Sequence, residues 1–124
     1  MMGDPPPWTP AICILEEMGP GLLESAYEEC FCHELGLRGL SFERQKVLPI
    51  AYKGKKLDGG YRLDIVVEDA IILELKSCAE IEPIHKAQLL TYLKISGLHL
   101  GLLLNFNTSV LKNGIIRIVN ELKE

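Results

Sequence analysis

No apolar run in this chain reaches the roughly 18 residues that a membrane-spanning helix needs. The opening MMGDPPPWTP also lacks the basic start and long apolar core of a secretory signal. The expectation is a cytoplasmic protein with no membrane partner. Positive charge is in deficit. With 13 basic against 17 acidic residues the net charge is −4, so the overall balance gives no general attraction to nucleic acid. Cysteine occurs as Cys13, Cys30, Cys32 and Cys78, with no CxxC pair. Cys30 and Cys32 stand two apart on a predicted helix and do not share a face. That spacing suits neither a zinc site nor a disulfide framework, and buried free thiols are expected. Internal repeats and low-complexity linkers are absent as well. The 124 residues, 48% hydrophobic and 24% charged, read as a single soluble domain, 1–124, with enough chain for a core. Residues 1–8, rich in proline, are expected to be loose.

What charge there is lies unevenly. Acids crowd residues 16–34 (Glu16, Glu17, Glu24, Glu28, Glu29, Glu34) and bases crowd residues 44–62 (Arg44, Lys46, Lys53, Lys55, Lys56, Arg62). A basic ribbon beside a carboxylate cluster would suit an anionic substrate, although lysines guarding an exposed strand edge would read the same way.

Periodicity and turn residues divide the chain. A short helix is predicted over Pro10–Met18, closed by Gly19-Pro20-Gly21. A second runs from Gly21 to Leu35 and stops at Gly36, with Leu23, Ala26, Tyr27, Cys30 and Phe31 as its apolar stripe. Phe42–Tyr52 reads as a strand, turning at Lys53-Gly54-Lys55 into another that begins near Lys56, with a bulge or close backbone approach at Gly59-Gly60. Pro83 opens a helix that continues to Ser96 and ends at Gly97. Leu98–Phe106 has the pattern of a buried central strand, and Ile115–Val119 is a last strand or part of a terminal helix. The order α-α-β-β-β-α-β-(β) predicts an α/β (α+β) fold with a central mixed β-sheet flanked by helices.

The stretch Arg62–Ser77, RLDIVVEDAIILELKS, carries the chemistry. Two runs of strand-forming residues, Leu63–Val67 and Ile71–Leu75, are separated by Glu68-Asp69-Ala70 and read as a hairpin. Asp64, Glu74 and Lys76 interrupt them. Strand alternation puts Glu74 and Lys76 on one face. Burying such charges is costly without compensation, which a divalent cation held by carboxylate oxygens would supply. Asp64 and Glu74 become cross-strand neighbours only if the pairing is symmetric about Asp69, which requires an odd-length loop. A two-residue turn would send them to opposite faces, and the odd loop is the expectation.

Asp64 followed by Glu74-Leu75-Lys76, after a helix bearing an acid, resembles the PD-(D/E)XK nuclease superfamily and its restriction-endonuclease-like fold. Within it the chain resembles the group named for a GxxExxY motif, here Gly21-Leu22-Leu23-Glu24-Ser25-Ala26-Tyr27. The resemblance runs from about Gly19 to Phe106 and includes GPGLLESAYEE, FERQ, the strand pair, HKAQLLTYL and GLLLNF. Leu63 replaces the proline of the superfamily's name, and Leu15 stands where this group carries a histidine. The resemblance implies that Asp64, Glu74 and the backbone carbonyl of Leu75 bind Mg2+ or Mn2+, and that Lys76 orients the attacking water. It also implies that Glu24 reaches the same site, with Gln88, Tyr92 and Tyr27 bordering it. His85, three residues before Gln88, reads as a cap or surface residue. Hydrolysis of a phosphodiester needs an activated water and stabilised negative charge, which metal ions and a positioned lysine provide.

The function these residues imply is a metal-dependent nuclease acting on DNA ahead of RNA. The alternative is a nuclease-like module of little or no activity that binds nucleic acid or a protein partner. A homodimer could enlarge the binding surface.

Overall fold

Along residues 71–75 and 100–104 the chain is apolar at almost every position, and strands of that composition need both faces covered. The computed structural model describes residues 5–57 and 59–121. It places these two runs side by side and parallel, as the third and fourth strands of a five-stranded sheet. The elements are α1 (Thr9–Met18), α2 (Glu24–Leu37), β1 (Phe42–Val47), β2 (Ile50–Tyr52), β3 (Lys55–Leu57), β4 (Arg62–Val67), β5 (Ile71–Lys76), α3 (Pro83–Ser96), β6 (Leu100–Asn105) and β7 (Ile115–Val119). The main sheet has the order β1-β4-β5-β6-β7. Only β5 and β6, joined through α3, are parallel, and the other pairs are antiparallel.

The helices cover both faces. Ala11, Ile14, Tyr27, Phe31 and Leu35 of α1 and α2 pack with Ile65, Val67, Leu73, Leu75, Leu102 and Leu104 on one side. Leu89 and Leu93 of α3 pack with Leu63, Val66, Ile72 and Leu103 on the other. Each Leu or Ile so buried contributes roughly 1.5–3 kcal/mol over leaving it in water, so these two layers set the position of every strand end. The β4–β5 turn has the odd register the charge pattern required. Val67 pairs with Ile71 and Ile65 with Leu73. The Ala70 N–H donates to the Val67 carbonyl across Glu68 and Asp69, both at positive φ, which leaves Ala70 as the extra residue. The conformation is costly for Glu68, and its carboxylate is held there by the amide and hydroxyl of Ser41, both at 2.7 Å.

The sequence-based boundaries need three corrections. The second helix starts at Glu24 and continues through Gly36 to Leu37, so Leu23 is its exposed N-cap and not part of the apolar stripe. The predicted strand over 42–52 is two strands, because Pro49 has no N–H to continue the ladder. Lys55–Leu57 is separate from Arg62–Val67, so five strands precede α3 and the order is α-α-β-β-β-β-β-α-β-β. The cysteines are free as expected, but all four are half-buried. Ile115–Val119 is a strand, preceded by a 3-10 turn at Leu111–Gly114. Of the segment expected to be loose, residues 1–4 lie outside the described part. No helix among the described residues is long and apolar enough to cross a membrane.

Candidate active site

Regular pairing between β4 and β5 ends at Ile65–Leu73, and beyond it the two strands are joined through side chains. The Glu74 carboxylate accepts the Asp64 N–H at 3.0 Å, and the Asp64 carboxylate accepts the Leu75 N–H at 2.8 Å. The distortion extends into β4 and β1. Leu63 packs on the α3 side while Ile65 and Val67 pack on the α1–α2 side, so the two-residue alternation breaks at Asp64. Opposite it, between the Arg44–Ile65 and Lys46–Leu63 pairs, Gln45 has a φ of 52°. Backbone strain of this kind persists where the surroundings enforce it.

The opening holds two adjacent carboxylates, Glu74 buried and Asp64 half-buried. Glu74 is 8% exposed. Burial, with the Asp64 charge adding, pushes its pKa up to about 8, against the opposing effects of the Asp64 N–H and Lys76. Asp64 is also raised, chiefly by burial and to a lesser degree by Glu28 and Glu24. Neither carboxylate is in a salt bridge among the described residues. Tyr92, half-buried on α3, borders the same charges: burial raises its pKa, and Glu74, Tyr61 and Asp64 add to the effect.

The start of α2 is tied to the end of β5. Gly21, with a φ of 115° that only glycine takes without strain, turns the chain into the helix. The Tyr27 hydroxyl donates to the Gly19 carbonyl at 2.7 Å and accepts the Leu22 N–H at 3.1 Å, with its ring stacked on Phe106. Glu24 accepts the Ser77 N–H at 3.1 Å, one residue past Lys76, and the Ser77 hydroxyl reaches the Leu22 carbonyl. The glycine, acid and tyrosine spaced along Gly21–Tyr27 therefore act together to fix where α2 meets the strand.

A fourth acid belongs to this assembly, one that the sequence reading does not include. Glu28 is 7% exposed, accepts hydrogen bonds from Arg44 and Gln45, and acts electrostatically on both Asp64 and Glu74. Arg44 also pairs with Glu29 at 3.2 Å. Glu28 lies one helical turn after Glu24, and Arg44-Gln45 falls within FERQ, but nothing in the sequence joins the two.

A family model of the PD-(D/E)XK nuclease superfamily matches residues 9–118. The chain belongs to this superfamily. No curated protein and no solved structure matches it. The mixed five-stranded sheet between helices is the superfamily's restriction-endonuclease-like fold.

Of the residues expected at a nuclease centre, the structure brings Asp64, Glu74, Leu75 and Lys76 together. Lys76 is half-exposed beside Glu74 and acts on both acids. Glu24 stands at their edge, engaged with Ser77. Among the described residues no group of three His, Cys, Asp or Glu side chains is disposed to hold a metal ion. The pair Asp64–Glu74 is the arranged part, and Glu24 is set apart from it. Tyr27 is fully buried and supports the α2 loop from beneath instead of lining the site. Gln88 is exposed and makes no hydrogen bond to the acids among the described residues. His85 is a helix cap, with Nδ1 accepting the Glu82 N–H at 3.0 Å. Asn105 and Asn107 hold the backbone of Cys78 just after Lys76 and Ser77, which steadies the exit of β5.

Proposed function

We propose that this chain is a divalent-metal-dependent nuclease with Asp64, Glu74 and Lys76 at its centre. The observation that carries the reading is the Asp64–Glu74 pair, half-buried and buried, in which two carboxylates sit side by side with only backbone N–H groups and a neighbouring lysine to offset their charge. Hard oxygen donors under mutual repulsion suit Mg2+ or Mn2+. Asp64, Glu74 and the Leu75 carbonyl would hold the ion, with Glu24 completing the acidic rim. When bound, the ion would supply Lewis-acid stabilisation and a more nucleophilic water.

The chain's own residues do the remaining work. Lys76 places a positive charge beside the acids, where it orients the attacking water and offsets the negative charge that develops on the phosphate oxygens. Water adds to phosphorus, the bond to the leaving oxygen breaks, and a 5′- or 3′-phosphate end remains. Glu28, pinned by Arg44 and Gln45, keeps β1 and α2 seated against the splayed strands. Tyr27 and Gly21 set the approach of Glu24.

DNA is proposed ahead of RNA as substrate, in a single domain spanning residues 1–124 that acts in the cytoplasm. A second reading is supported by the net charge of −4 and by the engagement of Glu24 with Ser77: a slow or inactive module that binds nucleic acid or a protein. Incubating the protein with single- and double-stranded DNA and RNA, with Mg2+ or Mn2+, separates the two. Cleavage abolished in Glu74→Ala and Lys76→Ala supports the enzyme. Absence of cleavage by the parent protein with metal binding intact supports the module.

A further inference from the structure

The basic ribbon has a shape that the cleavage chemistry does not use. The strands β2 and β3 form a separate two-stranded hairpin standing off the main sheet. It is inserted between β1 and β4, with its base closed by the Leu48 N–H on the Tyr61 carbonyl at 2.9 Å. Between Gln45 and Arg62 the sequence has five basic residues, Lys46, Lys53, Lys55, Lys56 and Arg62, and one acid, Asp58, in a chain whose total charge is negative. Lys53, Lys55, Lys56 and Arg62 are exposed. So are two aromatic rings, Tyr52 at 64% and Tyr61 at 42%.

At the hairpin's base lies a cavity of about 380 Å3 lined by Val47, Leu48, Pro49, Ile50, Lys56, Leu57, Gly60 and Tyr61. Apolar walls, one aromatic face and one ammonium at the rim suit a flat heteroaromatic ring attached to a phosphate. The Tyr61 ring lies over Gly59, where any Cβ would come within 2.2 Å of the ring, so glycine is what lets the ring lie there. The pocket is also close to the acids. Arg62, next to Tyr61, begins β4 two residues before Asp64, about 7 Å along a strand.

We propose that the β2–β3 hairpin and the pocket at its base bind an unpaired nucleotide beside the cleavage site, which makes single-stranded nucleic acid the preferred substrate. This deepens the nuclease reading and takes its substrate class from it. Lys53, Lys55, Lys56 and Arg62 hold the phosphates, and the base enters against Tyr61. A base inside a duplex already has both faces stacked and cannot enter such a pocket, whereas an unstacked one can. The phosphate contacts are indifferent to sequence, so the pocket contributes strandedness and not a motif.

Binding is read by fluorescence anisotropy in EDTA, where no cleavage occurs, using a labelled oligothymidylate of about 12 nucleotides and the corresponding blunt dT·dA duplex. The full chain is compared with Tyr61→Leu, Tyr61→Phe, Gly59→Ala and the double variant Lys55→Ala/Lys56→Ala. The single strand is expected to bind at least about tenfold tighter than the duplex. Tyr61→Leu and Gly59→Ala should each weaken the single strand by about tenfold and leave the duplex unchanged, and Tyr61→Phe should restore it, because stacking needs only the ring. The lysine pair should reduce the salt slope of binding by roughly 1.4, at about 0.7 per phosphate on a single strand. Equal affinity for both forms, or Tyr61→Leu binding like the parent, would overturn the proposal. Single-strand binding that depends on the hairpin in a protein that never cleaves would sink the nuclease reading alone. Cleavage indifferent to Tyr61 and the lysines would sink the hairpin's role alone.

Discussion

Asp64 and Glu74 each cap the other's strand: the Glu74 carboxylate takes the Asp64 N–H, and the Asp64 carboxylate takes the N–H of Leu75, next to Glu74. This exchange holds the sheet open at one point while leaving a buried and a half-buried carboxylate next to one another, an arrangement that is unfavourable for folding and useful for holding a cation. Stability and function should therefore pull in opposite directions here.

Glu74→Gln keeps an oxygen able to accept the Asp64 N–H but removes a buried charge. Without metal it is expected to be more stable than the parent by about 1 kcal/mol, raising Tm by roughly 3–6 °C, while nuclease activity is lost. Thermal unfolding in EDTA measures this, and a destabilised Glu74→Gln would mean that the carboxylate is satisfied as it stands.

The pH dependence follows from the same burial. Glu74 is raised to about 8 in the folded protein, above the ordinary glutamate value near 4.3 in the unfolded chain. The folded state thus binds more protons across that interval, and stability falls as pH rises through it. Metal-free protein is expected to lose Tm progressively between about pH 5 and 8. The slope should flatten in Glu74→Gln and in saturating Mg2+. Differential scanning calorimetry across that range is the check.

Arg44 anchors Glu28 beneath the site. Arg44→Met leaves Glu28 buried without its main partner, and the expected cost is about 2 kcal/mol, reduced from a fully buried pair because Arg44 is partly exposed. Pairing it with Glu28→Gln should recover much of that loss. Urea unfolding of the two single variants and the double variant measures the coupling.

Tyr27→Phe preserves the stack on Phe106 and removes the hydroxyl that joins Gly19 to Leu22. A loss of about 1–2 kcal/mol is expected. It should be accompanied by faster amide exchange at Leu22 and Ser77, since the loop and the Glu24–Ser77 contact rest on the same tyrosine. Unchanged exchange at Ser77 would separate Tyr27 from the positioning of Glu24.

The layered fold was legible because the strongest signals were local and redundant: Gly97 and Pro83 bounding α3, the apolar runs of β5 and β6, and the odd spacing that brought Asp64 opposite Glu74. Phe42–Tyr52 reads as one strand despite Pro49, since β-forming residues flank it on both sides. Gly36 reads as a stop, although a helix can carry glycine in its interior at a cost of about 1 kcal/mol. Glu28 escaped notice because its partners, Arg44 and Gln45, are sixteen and more residues away, and no periodicity links a helix acid to a strand arginine. The strain at Gln45 is likewise a tertiary effect. Tyr27 was placed beside the site by its motif, whereas packing against Phe106 puts it underneath.

The central claim is that Asp64 and Glu74 together make a divalent-cation site. Isothermal titration of Mn2+ into the parent, Asp64→Asn and Glu74→Gln proteins at pH 8 tests it most directly. A saturable site in the parent, weakened at least about tenfold in each variant, is the expected result. A parent that takes up no Mn2+, or variants that bind it as the parent does, would contradict the account.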